Sequence, residues 1–130
     1  DASGGFITNT LLADTNGDMP WQFWAETGSV RVHPGQPKAV RFFVKNTTSE
    51  RMVGQAVPSV VPPRFADLFH KTECFCFESQ VLEPGEVMEL PLSFIVDTDL
   101  PPNVESLSLS YELFDVTRMA ASSQRGGAGD

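Results

Sequence analysis

Met88-Glu89-Leu90-Pro91-Leu92-Ser93-Phe94-Ile95-Val96-Asp97 decides the fold class. Successive side chains of a strand point to opposite faces, so Met88, Leu90, Leu92, Phe94 and Val96 share one side of an extended chain. Glu89, Pro91, Ser93, Ile95 and Asp97 share the other. One face is buried and the other wetted, as in antiparallel sheets. Downstream, Leu107, Leu109, Tyr111 and Leu113 alternate with Ser106, Ser108, Ser110 and Glu112 in the same way. Upstream, Val40, Phe42 and Val44 alternate with Arg41, Phe43 and Lys45, and Asn46-Thr47-Thr48-Ser49 closes that strand. Val30 and Val32 alternate with Arg31 and His33, and Pro34-Gly35 turns, so the spacing predicts a hairpin joining these two runs.

Further strands are predicted at Phe6 to Ala13, Trp21 to Trp24, Met52 to Val57 and Thr72 to Val81. Proline has no N–H for a ladder, so Pro58, Pro62 and Pro63 exclude a continuous central strand there; Val57 to Phe65 is read as a crossing loop or an edge. Arg64 to His70 reads as a helical turn. Strands at this spacing, with Pro and Gly at the joints, predict an all-β protein, an immunoglobulin-like antiparallel β-sandwich. The domain is placed at residues 11–118, with an N-terminal segment at 1–10 and a Gly-, Ser- and Ala-rich disordered tail at 119–130.

A chain of 130 residues fits one domain with a single core, for which ten phenylalanines and two tryptophans are ample. A formal net charge of -8, with no basic cluster against it, argues against nucleic acid and against adhesion to an anionic membrane surface. Nothing approaches the roughly 20 apolar residues of a membrane-spanning helix. A membrane anchor, if the protein has one, is expected outside this sequence. No nucleophile, base and orienting group assemble for hydrolysis, so an ordinary enzyme is not expected.

Lys71-Thr72-Glu73-Cys74-Phe75-Cys76-Phe77 holds the two cysteines of the chain, one residue apart. Two soft thiolates this close suit a low-coordinate soft cation, Cu(I). On an extended strand, residues two apart lie about 6.6 Å apart, whereas a disulfide needs Cβ atoms within about 3.8 Å. A relaxed bridge is therefore disfavoured and a strained, easily reduced one is left open. Sulfurs on either side of a linear metal would be roughly 4.5 Å apart, or one thiol from each of two chains would share the ion. In a regular strand Phe75 and Phe77 would anchor in the core while Cys74 and Cys76 face outward, with Lys71 favouring thiolate and Glu73 and Glu78 opposing it. Zinc would need four ligands, and only His33 and His70 are on offer at no zinc-like interval. A blue-copper site would need two histidines with one cysteine. Two buried cysteines acting as small hydrophobes are the structural alternative. Met19, Met52, Met88 and Met119 read as gap-filling residues rather than ligands.

The cysteine segment, followed by Gln80, Leu82 and Pro84-Gly85-Glu86, resembles the signature of the CtaG family of copper chaperones for cytochrome c oxidase assembly. Pro20-Trp21-Gln22-Phe23, Val32-His33-Pro34-Gly35, Val53-Gly54-Gln55-Ala56-Val57-Pro58-Ser59-Val60 and Leu109-Ser110-Tyr111 add weaker matches. The Ala56 to Ser59 stretch is nearer to bacterial members than to mitochondrial ones. The resemblance implies an immunoglobulin-like domain on the periplasmic side of the bacterial inner membrane, or in the mitochondrial intermembrane space. A single N-terminal helix would anchor it. It further implies homodimers, Cu(I) held by Cys74 and Cys76, an upstream copper donor, and delivery to the copper B centre of oxidase subunit I. A further cysteine near the anchor is characteristic of the family and is absent here. The expected mechanism is thiolate ligand exchange; the alternative is a thiol-disulfide oxidoreductase acting on a copper-site partner.

Overall fold

The computed structural model describes residues 5–75 and 78–119. Among these residues nine strands follow in chain order: β1 (Ile7–Thr15), β2 (Gln22–Ala25), β3 (Ser29–Val32), β4 (Pro37–Lys45), β5 (Met52–Val61), β6 (Phe69–Cys74), β7 (Gln80–Leu82), β8 (Val87–Val96) and β9 (Ser106–Asp115). They form one sheet of order β3-β1-β9-β5-β7 and another of order β2-β4-β8-β6. All described pairings are antiparallel except β1 with β9, which runs parallel. The predicted immunoglobulin-like sandwich is the fold that forms.

The core lies between the sheets and is built from the rows legible in the sequence. Leu90, Leu92, Phe94 and Val96 of β8 face Leu107, Leu109, Tyr111 and Leu113 of β9, all buried. Phe42 of β4 meets the Tyr111 ring edge-on at 5.2 Å between centroids, tying the two sheets. Such an aromatic pair contributes about 0.5–1.5 kcal/mol beyond the area it buries.

Successive strands always change sheet, which overturns the predicted hairpin. β3 pairs with β1 in one sheet, while β4 pairs with β2 and β8 in the other. Pro34-Gly35 therefore turns a corner of the sandwich, with Gly35 at φ 89°. Alternation and a turn signal specify two strands and a reversal, but both patterns are equally satisfied when the two inner faces look at each other across the core.

The prolines also need correcting. β5 continues through Pro58 to Val61, longer than the predicted Met52 to Val57. β7 covers only Met52 to Gly54 of it, so at Pro58 the strand has a partner on one side alone. The expected edge character is right for that half, and an edge is where a ladder tolerates proline. The helical turn is a 3-10 helix over Pro63–Leu68, so His70 falls on a strand instead. The strand predicted from Thr72 to Val81 is two: β6 ends at Cys74, and β7 begins at Gln80 in the opposite sheet. β1 starts at Ile7, inside the segment set apart as N-terminal. The tail from 120 to 130 lies outside the described residues.

Candidate metal centre

Cys74 is the last residue of β6, the edge strand of its sheet, at the point where the chain leaves to cross the sandwich. Phe69 pairs with Val96 and Lys71 with Phe94, both inward-facing residues of β8. Thr72 is then passed over: Glu73 pairs with Ser93 and Cys74 with the inward-facing Leu92. One inserted residue shifts the side-chain phase of everything after it. Counting in twos from Phe69 would turn Cys74 outward; the bulge turns it into the core, 6% exposed. The expectation of an outward-facing Cys74 is thus corrected.

Phe75 is buried as well, because regular alternation stops where the strand stops. Its ring lies 5.5 Å from Phe42 and 4.7 Å from Tyr111, and its carbonyl accepts the N–H of Glu78 at 3.3 Å. Cys76 and Phe77 lie outside the described residues. Cys74 is disulfide-bonded, and no cysteine among the described residues is free. Strand geometry disfavoured a bridge here, but the extended spacing behind that argument ends with β6.

The Cys74 Sγ lies 2.9 Å from the Tyr111 Oη. A disulfide sulfur has no proton to give, so the phenol donates. Burial pushes the ionisation of Tyr111 well above the usual phenol range, which keeps that proton in place. Sequence reasoning did not single out Tyr111 as a site residue, although one signal was available. It is the chain's single tyrosine, set in an inward row of leucines, and a hydroxyl in a core row requires a partner.

The other candidate residues are dispersed. Lys71 places its ammonium over the Phe69 ring at 5.7 Å, toward the start of the strand. His33 Nδ1 donates to the Gly5 carbonyl at 2.8 Å, and His70 Nε2 lies 2.9 Å from Asp97 Oδ2. Met19 is buried, while Met52 and Met88 pack partly buried against the core, as gap-fillers do. Among the described residues no three His, Cys, Asp or Glu side chains gather into a metal-holding group. What Cys74 offers to a cation is a single soft sulfur, available once reduced, with aromatic rings around it and a hydrogen-bond donor behind it. That donor set fits Cu(I) better than a hard ion.

The family model for cytochrome c oxidase assembly protein CtaG/Cox11 matches residues 4–115. The chain belongs to this family. CtaG of Ehrlichia ruminantium (strain Gardel) is 35% identical over 107 residues, covering 78% of this chain and 60% of the relative. CtaG of Rhizobium meliloti is 34% identical over 113 residues, covering 83% and 57%. The mitochondrial COX11 of Mus musculus is 32% identical over 114 residues, covering 84% and 42%. The chain therefore spans at most 60% of the length of these relatives. Among the described residues no helix is long and apolar enough to cross a membrane.

Proposed function

We propose that the protein is a Cu(I) metallochaperone that serves cytochrome c oxidase assembly and gives its copper to the copper B centre of subunit I. The single observation carrying this reading is the pair of cysteines, Cys74 and Cys76, one residue apart in a chain of this family. Relatives named as cytochrome c oxidase assembly proteins support a role in that assembly. In this reading Cys74 and Cys76 are the ligands, and the ion is cargo rather than cofactor. Low coordination is the physical requirement, since an incoming ligand must reach the metal before the thiolates let go; four ligands would close the site. Cys74 lies at the end of an edge strand with its sulfur buried, so hand-over requires that strand end to open toward the partner. A partner on the periplasmic or intermembrane face, an upstream copper donor, a homodimer sharing the ion and an N-terminal anchor complete the proposal.

Because Cys74 is oxidised, loading must follow reduction. The same observation favours a second reading, a thiol-disulfide oxidoreductase acting on a copper-site partner. Titration separates the two. Reduced protein is expected to bind Cu(I) stoichiometrically against a moderate competitor, and Cys74→Ala or Cys76→Ala to abolish that binding. Disulfide exchange with a model thiol at catalytic rates, with no Cu(I) retained, would favour the oxidoreductase.

A further inference from the structure

Among the described residues, β3 and β7 end one sheet and β2 and β6 end the other. Edge strands invite pairing with another chain unless charge, proline, a bulge or shortness blocks it. β6 carries His70, Lys71 and Glu73 with a bulge at Thr72, β3 carries Arg31, and β7 is three residues long. β2, Gln22-Phe23-Trp24-Ala25, has no charge, no proline and no register shift. Just beyond it, the Glu26 N–H donates to the Arg41 carbonyl at 2.9 Å, in step with the Trp24–Phe43 and Gln22–Lys45 pairs. Hydrogen-bonded pairs alternate with non-bonded ones along an antiparallel ladder, so Phe23 and Ala25 turn their N–H and C=O away from β4. Neither makes a backbone bond on that side among the described residues.

Trp24 is 40% exposed and stacks on Phe43 at 5.7 Å between centroids. The Arg41 guanidinium lies over Phe43 at 5.9 Å, held by Glu26 and Glu89. This face thus already seats one cation between a ring and carboxylates, and Trp24 presents a second ring with no strand beyond it. Register and sequence place Asp18, Glu26 and Glu89 around β2 against Arg41 and Lys45, in a chain of net charge -8. A strand bearing lysine or arginine is attracted to such an edge, whereas a second copy of this acidic chain is repelled.

We infer that β2 is a docking edge for an extended basic segment of another protein. The segment extends the sheet by backbone bonds to Phe23 and Ala25 and rests a lysine or arginine on Trp24. β2 and β6 are opposite edges of one sheet, so a segment docked on β2 leaves the strand end at Cys74 free. The docking needs neither copper nor a thiol.

The probe is a short peptide of alternating threonine and valine with a central arginine, added in millimolar amounts to the metal-free chain and followed by NMR. Exchange of the Phe23 and Ala25 amide protons is expected to slow about tenfold at saturation. Replacing the arginine by glutamate, or Trp24→Ala in the protein, is expected to weaken binding about fivefold. Methylating the peptide nitrogens that face Phe23 and Ala25 is expected to abolish binding with the protein unchanged. If Trp24→Ala does not fold, the glutamate and methylated peptides decide. An arginine peptide that leaves both amides unmoved would overturn the inference, as would equal binding by the glutamate peptide, the methylated peptide or a folded Trp24→Ala. Protection of these amides that rises with protein concentration alone would assign the edge to a second copy and overturn it too.

Discussion

Thr72, a residue with no chemistry of its own at the site, determines where Cys74 points. The bulge it forms in β6 changes the phase of the strand and brings a sulfur inside a core that alternation alone would have left outside. Sequence reading found both cysteines and their soft-metal chemistry but placed Cys74 on the wrong face, because a bulge leaves the order of residue types untouched. A second site-scale feature can be tested by pH. Asp97 Oδ1 accepts the N–H of Asp99 at 2.8 Å and Oδ2 lies 2.9 Å from His70 Nε2. The Asp99 N–H first, and His70 second, hold its carboxyl below the usual range. A carboxylate lowered on folding adds stability above its unfolded value of about 3.9 and loses it as pH falls through the folded value. Asp97→Ala is therefore expected to unfold more readily than the parent at neutral pH in urea, the two curves converging in strong acid. A constant gap across that acid range would show that Asp97 does not contribute through its charge.

At the scale of elements, the strands themselves were legible and their partners were not. β4, β8 and β9 announced themselves by alternation because each has one wet face. β5 runs past the expected break because Pro58 lies where β7 no longer pairs, so its missing N–H costs no ladder bond on that side. The hairpin failed for a reason no local pattern carries: β3 and β4 belong to different sheets. The corner between them depends on Gly35, with φ at 89° and a Cβ position only 2.9 Å from Thr98 Cγ2. Gly35→Ala combines left-handed strain with that contact, and a loss of about 1–3 kcal/mol in urea unfolding is expected. A change below about 0.5 kcal/mol would mean the corner relaxes freely.

At the scale of the whole molecule, the chain is acidic and its described residues form a sandwich in which each strand is followed by one in the opposite sheet, including β6, which ends at Cys74, and β7, which begins at Gln80. The cysteine segment and its flanking motifs pointed to the oxidase-assembly family to which the chain belongs; the interior setting of Cys74 became legible only with the topology. This scaffold is expected to hold one soft ion through sulfur. Anaerobic Cu(I) loading of the reduced protein, followed by X-ray absorption at the copper edge, measures this directly. Two or three sulfur neighbours at short distance, with no nitrogen shell, is the predicted result. A nitrogen-rich shell, or no copper retained by fully reduced protein, would contradict it.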